Sequence, residues 1–315
     1  MPLTLYSGER MMKTRAKALT AAFILFILSV KTFAADTEKI FAIISSDAQQ
    51  YMLAYNGFKD TVGKNTKISV MSGTIKGGNE NEIASAINSS DPLILLAVGT
   101  KALKFAKGIQ GNRKIIHCMV FSEKEINDSN TAGIEFNIPE SYKAEKIKEI
   151  IPNHGTMGVI YTGASEKQFL NLKKACEEKS IPLLDVKTQN GEDFPKALNR
   201  IKNRINLFMM VTDSALYYPG SVQHLFNESV NNGFGVIGLS SFYTKAGAVL
   251  SFDFNYYDVG ADAARLAFEK FYNGVNGKPA ESGRIVYSLN VSVAQKAGID
   301  FSAGAVDKAA EVFGR

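Results

Sequence analysis

Residues 39–62 read KIFAIISSDAQQYMLAYNGFKDTV, and this stretch decides the fold. The apolar run over 39–45 predicts a buried strand, and the apolar spacing over 48–62 predicts a helix that covers it. The same alternation continues through the first half of the chain. Strands are predicted at 66–71, 93–98 and 114–121, helices at 81–87 and 100–107, and a short extended segment at 131–137. This alternation is typical of a parallel sheet with helices on both faces.

A second series of alternating elements begins after Pro139. Helices are predicted at 141–151, 166–178, 194–204 and 221–232, with strands at 157–161, 182–186, 206–211, 235–239 and 248–252. A helix over 257–273 and a strand over 284–289 follow. Two series of similar size predict an α/β fold with two lobes, each a mostly parallel sheet flanked by helices.

The expected organisation assigns three regions. A signal peptide is expected over 1–34. The N-terminal lobe is expected over 35–138, with a return helix at about 257–275, and the C-terminal lobe over 139–256, with a return segment at about 276–315. If these late pieces cross back between the lobes, the chain has several interlobe linkers and a hinge.

The start of the chain has the layout of a secretory signal peptide. Lys13, Arg15 and Lys17 precede an uncharged apolar run over 18–30, which ends in a small-residue exit at 32–34. The run is shorter than the ~20 residues of a membrane-spanning helix, and no cysteine near the exit offers a site for a lipid. The sequence therefore predicts export to the periplasm without a lipid anchor. It leaves the true start codon open.

The net charge of the chain does not indicate which kind of partner it binds. The whole sequence has 36 basic and 31 acidic residues, a net charge of +5. Five of the basic residues and one acidic residue precede Ala35, so the mature chain keeps 31 against 30. This near balance gives no support for binding to nucleic acid or to an anionic membrane.

The sequence contains two cysteines, in different halves of the chain. Cys118 lies in the apolar run over 114–121, and Cys176 lies in a helical pattern. We expect two separate buried thiols, because a free cysteine packs as a small apolar residue. A single disulfide between them is the alternative that an oxidising compartment leaves open.

Motifs of the common catalytic classes are absent from the sequence. It contains no Gly-x-Ser-x-Gly elbow, no phosphate loop ending in Gly-Lys-Ser or Gly-Lys-Thr, and no Gly-x-Gly-x-x-Gly after the first strand. His117, His154 and His224 are the only histidines, and none has a second ligand type at a metal-binding spacing. We therefore expect a protein that is not an enzyme and holds no metal or cofactor.

Polar and aromatic residues follow the predicted strands, at the sheet edge where open α/β folds bind ligands. The candidate ligand-binding residues are Ser45, Ser46, Asp47, Thr100, Phe121, Ser122, Thr162, Asp213, Tyr217, Ser240, Ser241 and Phe242. Helix N-termini suit a carboxylate, Asp213 suits an ammonium group, and the rings suit an apolar side chain. A small zwitterionic ligand fits this set. The alternative is that the polar members only cap helices and form turns.

Two stretches near the end of the chain carry a family resemblance. Residues 251–260, SFDFNYYDVG, resemble a strand followed by Asp-Tyr-Tyr-x-x-Gly, and residues 289–299, LNVSVAQKAGI, are similar to Asn-x-x-Thr-Ala-Lys-x-Leu-Gly-Ile. Gly57-Phe58, Gly99-Thr100, Thr212-Asp213 and residues 246–248 also match. The chain thus resembles the solute-binding proteins of bacterial ABC importers, in the family that includes periplasmic tryptophan- and tyrosine-binding components. The resemblance implies a type I periplasmic binding fold whose two lobes close on a small molecule.

The chain departs from this family near the expected ligand. Asp47-Ala48 stands where the family often has His-Pro, Lys101 follows Thr100 where the family has proline, and Ser240-Ser241-Phe242 replaces a Ser-Asp pair. The turn after the fourth strand, at 121–123, also differs. The resemblance therefore implies the fold and the binding role. It does not imply that the ligand is an aromatic amino acid, because the differences lie near the expected ligand.

The sequence favours a monomeric periplasmic receptor that delivers a small, amino-acid-like solute to an inner-membrane ABC permease. Export, two lobes, missing catalytic motifs and the resemblance support this hypothesis. Two alternatives stay open. The protein could present its ligand to a membrane sensor or chemoreceptor, or it could be a periplasmic enzyme that uses Asp213 as a general base.

Overall fold

The computed structural model describes residues 38–64, 67–120, 128–134, 136–189, 193–272 and 285–315. The predicted signal peptide and the candidate site residues Phe121 and Ser122 lie outside these ranges. Within them, every predicted strand and helix has a counterpart, and two separate sheets form.

The first sheet is built from the first half of the chain. Its strands are β1 Glu38–Ile44, β2 Ile68–Thr74, β3 Ile94–Val98, β4 Lys114–Cys118 and β5 Thr131–Gly133. All neighbours pair in parallel, in the order β2-β1-β3-β4-β5. The intervening helices are α1 Gln49–Val62, α2 Glu80–Ser90 and α3 Thr100–Gly108. All five residues of β3 are buried, as expected for a central strand that is covered on both faces.

The second sheet takes most of the remaining chain. Its strands are β6 Met157–Tyr161, β7 Leu183–Lys187, β8 Leu207–Met209, β9 Gly235–Gly238, β10 Leu250–Phe254, β11 Ile285–Asn290 and β12 Glu311–Phe313. Their order is β12-β11-β10-β9-β8-β6-β7, and only the β10–β11 pair is antiparallel among the described strands. The helices are α4 Glu140–Ile150, α5 Glu166–Glu178, α6 Phe194–Ile201, α7 Pro219–Asn232, α8 Ser241–Ala246, α9 Tyr256–Ala267, α10 Val291–Lys296 and α11 Ala305–Lys308.

The two sheets share one topology. The order β7-β6-β8-β9-β10 repeats β2-β1-β3-β4-β5 strand for strand, and β11 and β12 extend only the second sheet. In each lobe the strand order reverses between the first and third strands of the series. Open α/β sheets bind ligands outside the carboxyl ends of the strands at that point. The predicted α/β fold with two lobes of mostly parallel sheet is confirmed.

Helix α9 leaves the second lobe and packs on the first. It follows β10 directly, and it contacts α1, β4 and β5. Gly57 of α1 and Gly260 of α9 make the contact possible. A Cβ atom at Gly57 would overlap the carbonyl oxygen of Tyr257, and one at Gly260 would overlap the carbonyl oxygen of Ala54. The two helices therefore meet backbone to backbone.

Buried apolar side chains link the two lobes. One cluster contains Phe58 of α1, Phe136 of the segment after β5, Val259 of α9 and Phe208 of β8. A smaller cluster fills the other face of the first sheet, around Leu95. Because α9 belongs to the larger cluster, both lobes share one continuous core.

Several helix ends and short elements differ from the predictions. The predicted helix over 257–273 ends as an α-helix at Ala267 and continues as a π-helix over Phe268–Tyr272. The predicted helix over 194–204 ends at Ile201, before a 3-10 turn over Lys202–Arg204. Helices α8, α10 and α11 and strand β12 were not predicted, because segments of three to six residues are too short for a periodic apolar pattern.

Both cysteines are free and buried, which confirms the expected separate thiols. Burial raises the pKa of the Cys118 thiol to about 12. Burial, followed by the carboxylates of Glu140 and Glu177, raises the pKa of the Cys176 thiol to about 12. Neither thiol is therefore a ready nucleophile at neutral pH. No helix in the described ranges is both long and apolar enough to span a membrane.

We predict that Gly57→Ala and Gly260→Ala each lower the free energy of unfolding by about 1–3 kcal/mol or more, because the added methyl group must push two helix backbones apart. Urea unfolding followed by circular dichroism measures the loss. Gly108→Ala is the matched control, since no atom of the described residues lies within 4 Å of its Cβ position and alanine favours a helix. Equal stabilities of Gly260→Ala and Gly108→Ala would contradict the proposed tight contact.

We predict that neither Cys118 nor Cys176 reacts with iodoacetamide in the native protein at pH 8 within a time that fully labels both in urea. The cause is burial, which removes access and keeps the thiols protonated. Mass spectrometry of the two peptides gives the extent of labelling. Rapid native labelling of either peptide, or a linked pair of peptides without reduction, would contradict the structure.

Candidate functional site

A cavity of about 860 Å³ opens beside the segments where the chain crosses between the lobes. We call these the hinge segments: residues 136–139, which lead from the first lobe to α4, and residues 254–256, which lead from β10 to α9. The remaining wall comes from α4, α5 and the carboxyl ends of β8, β9 and β10. The lining side chains include Phe136, Glu140, Ser165, Gln168, Thr212, Ser240, Asp253 and Tyr256.

Asp253 is a buried carboxylate at the hinge end of this cavity, with 8% of its surface exposed. Its Oδ1 atom accepts hydrogen bonds from the backbone N–H of Phe254 at 2.8 Å and from the hydroxyl of Tyr256. Its Oδ2 atom accepts one from the backbone N–H of Ser241 at 3.1 Å. Burial and the nearby Asp253 carboxylate raise the pKa of the Tyr256 hydroxyl, so this group stays a donor.

Aromatic rings form the apolar part of the hinge end. The rings of Phe136 and Phe254 stack with centroids 4.2 Å apart, and the ring of Tyr256 lies 6.3 Å from that of Phe136. All three residues line the cavity. Since each comes from a hinge segment, the rings join the two crossings of the chain, and the Tyr256 hydroxyl links this cluster to the Asp253 carboxylate.

Glu140, the first residue of α4, is a second buried carboxylate on the cavity wall, and its side chain is 7% exposed. Its Oε1 atom accepts hydrogen bonds from Lys143 Nζ at 2.8 Å and from Gln168 Nε2 at 2.8 Å. Gln168 Oε1 in turn accepts the backbone N–H of Thr212 at 2.8 Å, which fixes the end of β8. The Oε2 atom of Glu140 is buried and has no hydrogen-bond partner within the described part of the chain.

Asp213 lies behind this wall in a network of hydroxyl groups. Its Oδ2 atom accepts hydrogen bonds from Thr162 Oγ1 at 2.7 Å and Ser165 Oγ at 2.6 Å, and its Oδ1 atom accepts the backbone N–H of Ala215 at 3.0 Å. Burial alone would raise the pKa of Asp213, but the bonds from Ser165, Thr162 and Ala215 outweigh it and hold the pKa below 3.8. The carboxylate thus ties the loop after β6 to the loop after β8.

The described candidates of the first lobe lie together at the carboxyl ends of β1 and β3, away from the cavity wall. Ser45 Oγ accepts the backbone N–H of Ala102, at 3.0 Å. Gly99, with φ +93°, permits this approach, because a Cβ atom there would collide with Ser45 Oγ. Asp47 pairs with Lys76 Nζ at 2.8 Å, and this partner lowers the pKa of the carboxyl group.

The two other first-lobe candidates that the structure describes lie next to these residues in sequence or at the start of α3. Ser46 Oγ accepts the backbone N–H of Ala48 at 3.4 Å, and Thr100 is exposed in the first turn of α3. Hydroxyl groups and backbone donors are therefore available at this edge of the first sheet, on the lobe that does not form the described cavity wall.

Thr162 and Asp213 belong to the hydroxyl network described above, and the other candidates of the second lobe separate into three places. Ser240 lines the cavity, and among the described candidates it is the only one that does. Ser241 and Phe242 lie in the first turn of α8, next to Ser240 in sequence. The backbone N–H of Ser241 donates to Asp253, and the Phe242 side chain is 72% exposed. Tyr217 packs inside the lobe against Phe194, with ring centroids 5.9 Å apart.

Sequence reasoning missed Asp253, Tyr256, Glu140 and Gln168 as parts of the site. A signal for Asp253 was present, because an aspartate inside the apolar stretch over 248–254 needs partners if it is buried. Glu140 and Gln168 resemble ordinary charged and polar residues on helices, and nothing in their spacing points to a cavity. In the described part of the chain, no three His, Cys, Asp or Glu side chains group as metal ligands would.

Comparison with known proteins gives a family match over nearly the whole chain. The sequence model of a family described as ABC transporter substrate binding protein matches residues 39–313. No curated protein matches the chain by sequence.

Solved structures share the fold. The chain is similar to the ligand-free, open structure of a substrate binding protein with adhesive properties from Clostridium difficile, with 16% identity over 88% of this chain and 100% of that chain and a TM-score of 0.74. It is similar to an ABC domain in complex with L-Trp from Streptococcus pneumonia, with 14% identity over 88% and 100% of the two chains and a TM-score of 0.58. A conserved domain protein from Vibrio cholerae has 17% identity over 88% and 99%, with a TM-score of 0.59.

We predict that Asp213→Asn lowers the free energy of unfolding by about 1–3 kcal/mol at pH 7, because an amide cannot accept all three hydrogen bonds. The folded-state pKa of Asp213 is lowered, so its stabilisation is present above pH 3.8 and is lost as the pH falls further. Urea unfolding at pH 7 and pH 3 measures both effects.

The control for this variant is Asp307→Asn, at an exposed position of α11. The difference between the wild type and Asp213→Asn should shrink at pH 3, whereas Asp307→Asn should match the wild type at both values. A variant as stable as the wild type at pH 7 would contradict a structural role for the Asp213 network.

Proposed function

Because the chain belongs to the family of ABC transporter substrate binding proteins, we propose that it is a periplasmic receptor that binds a small, amino-acid-like solute in the cleft between its lobes. We propose that it delivers this solute to an ABC permease in the inner membrane. The family assignment implies a small-molecule ligand and a permease as partners. The ligand class, the periplasmic location and a monomeric state are parts of the proposal.

The cavity at the hinge segments is the observation that carries the proposal. Its volume of about 860 Å³ falls within the range of roughly 300–1,000 Å³ that small-molecule sites occupy. Its wall combines stacked rings with a few buried polar groups, which is the usual composition of such sites. The position beside two chain crossings allows a rotation of the lobes to close the site over a ligand.

We propose that closure brings the first lobe over the ligand. In this arrangement Ser45, Ser46, Asp47 and Thr100, at the carboxyl ends of β1 and β3, face Ser240 and Phe242 across the cleft. The backbone N–H groups at the start of α3 suit a ligand carboxylate, since a helix N-terminus favours an anion. This role accounts for polar residues at an edge of the first sheet that does not line the cavity in the present structure.

The predicted leader supports the location. Residues 13–34 have a basic start, a short apolar run and a small-residue exit, and export places a receptor beside an inner-membrane permease. The near-neutral charge of the mature chain is consistent with a partner that is recognised by shape and local contacts rather than by a strong overall field.

The first experiment is a thermal-shift screen of protein refolded from denaturant, against amino acids, their derivatives, small carboxylates, nucleosides and sugars. A ligand at about a hundredfold its dissociation constant adds roughly 2.7 kcal/mol of stability, which raises the melting temperature by a few degrees. We expect a response to a narrow group of compounds. A protein that binds no compound of the panel and converts one of them to product would contradict the proposal.

We predict that Ser240→Trp abolishes this thermal shift, because a bulky ring on the cavity wall occupies the ligand's space. Ser85→Trp is the matched control, since Ser85 is exposed on α2 of the first lobe and does not line the cavity. The control should keep the wild-type shift. Retention of the full shift by Ser240→Trp would place the ligand outside the cavity.

A further inference from the structure

Helix α9 and the first lobe form one rigid unit. Gly57 of α1 and Gly260 of α9 bring the two helix backbones into contact. The Tyr257 hydroxyl of α9 donates to Asp60 Oδ2 of α1 at 3.0 Å, and α9 also contacts β4 and β5. Because closely packed interiors resist deformation, a rotation of the first lobe carries α9 with it.

The crossing from the second lobe to this unit is very short. Strand β10 ends at Phe254, and α9 begins at Tyr256. Asn255 between them is the N-cap residue of α9, and its Oδ1 atom accepts the backbone N–H of Asp258 at 3.4 Å. Hinges absorb a rotation in a few residues at the ends of elements. At this crossing, a rotation of the lobes must therefore change the backbone dihedral angles of Phe254 and Asn255.

One hydrogen bond spans these two residues. The Tyr256 hydroxyl, on α9, donates to the Oδ1 atom of Asp253, on β10. Between the described residues of the first lobe with α9 and those of the second lobe, there is no other side-chain hydrogen bond and no ion pair. A hydrogen bond to a carboxylate is roughly twice as strong as one between neutral groups. The bond from Tyr256 to Asp253 therefore links the two units directly across the crossing.

The Asp253 carboxylate is itself held by the second lobe. Its Oδ2 atom accepts the backbone N–H of Ser241, the first residue of α8, at 3.1 Å, and its Oδ1 atom also accepts the backbone N–H of Phe254 at 2.8 Å. Asp253 is 8% exposed, and a hydrogen bond in a buried place is stronger than the same bond in water. If a rotation moves Tyr256, the carboxylate cannot follow, because α8 and β10 hold it.

The bond is formed while the first lobe stands away from the cavity. No described residue over 38–134 lines the cavity, and we call this the open arrangement. Closure turns α9 relative to β10 and displaces the Tyr256 hydroxyl from Asp253. Hydrogen bonds between two oxygen atoms need a separation of about 2.5–3.0 Å. The bond between Tyr256 and Asp253 thus stabilises the open arrangement and is lost when the lobes rotate.

We propose that the hydrogen bond from Tyr256 to Asp253 is a hinge latch, which holds the ligand-free protein open. This inference goes beyond the proposed function, because it concerns the balance between open and closed arrangements before any solute binds. The latch lowers the population of the closed arrangement in the free protein. A solute that needs this arrangement then binds with an apparent affinity reduced by the same factor.

The distance between the lobes tests the latch without a ligand. Nitroxide labels on Glu82→Cys and Gln223→Cys report this distance by pulsed electron paramagnetic resonance in protein refolded from denaturant. Both residues are exposed near the starts of α2 and α7, helices that follow the carboxyl ends of β2 and β8, so closure shortens the distance. Cys118 and Cys176 are buried and take no label in the folded protein.

Tyr256→Phe removes only the hydroxyl and keeps the ring beside Phe136. We expect this variant to raise the ratio of closed to open molecules about 10- to 100-fold, the range for a hydrogen bond to a charged group, and to add a population at a shorter distance. Tyr257→Phe is the matched control. Its hydroxyl donates to Asp60 within the first lobe and α9, so the wild-type distances should remain.

Asp253→Asn tests the same bond from the acceptor side, should Tyr256→Phe not fold. A neutral amide is a weaker acceptor than a carboxylate, so we expect a smaller shift towards short distances. Circular dichroism and the melting temperature show whether each variant is folded.

Three results would overturn the latch. They are unchanged distances in a folded Tyr256→Phe variant, a shift of this variant to longer distances, and an equal shift in Tyr257→Phe. None of these results depends on a solute. Failure of the thermal-shift screen, with turnover of a screened compound, would overturn the proposed function and leave the distances as they are.

Discussion

The contact between α1 and α9 at Gly57 and Gly260 holds the two-lobed structure together. Because glycines stand at these positions, the two helix backbones contact each other, and both helices contribute side chains to the same hydrophobic core. Tyr257 adds a hydrogen bond from its hydroxyl group to Asp60, at 3.0 Å. Because α9 follows β10 directly, the contact between α1 and α9 determines where the chain crosses back to the first lobe. The hinge segments, and the cavity beside them, are placed by that crossing.

The cavity wall contains both tightly packed rings and a buried polar atom without a hydrogen-bond partner among the described residues. The stacked rings of Phe136 and Phe254 join the two hinge segments and belong to the shared core. On the same wall, Asp253 accepts three hydrogen bonds, whereas the Oε2 atom of Glu140 has no partner among the described residues. Such incompletely satisfied groups cost stability in the free protein, and a bound solute can offset that cost.

Much of the fold could be predicted from the sequence, because the buried strands are continuous apolar runs and the helices between them keep a clear period. The strand order of the first sheet is repeated in the second sheet, so the same alternation of strands and helices predicts both lobes. The site was harder to predict. Asp213 looked exceptional because it follows an apolar strand, yet Thr162 and Ser165, about fifty residues away in sequence, supply its partners. Asp253 could have been noticed as an aspartate inside an apolar stretch, but Glu140 reaches the cavity wall only through the crossing of the chain, and its local sequence does not indicate this.

The return of α9 to the first lobe also determines the order in which the protein can be completed. The bond between Tyr257 and Asp60 joins residues that are 197 positions apart. A ribosome that has made all five strands of the first sheet has not yet made the helix that covers α1. The first lobe therefore exposes an apolar groove until most of the second lobe has been synthesised. Folding that depends on so distant a contact is slow relative to folding through local contacts. This delay leaves α1 without the helix that covers it during most of the synthesis of the chain.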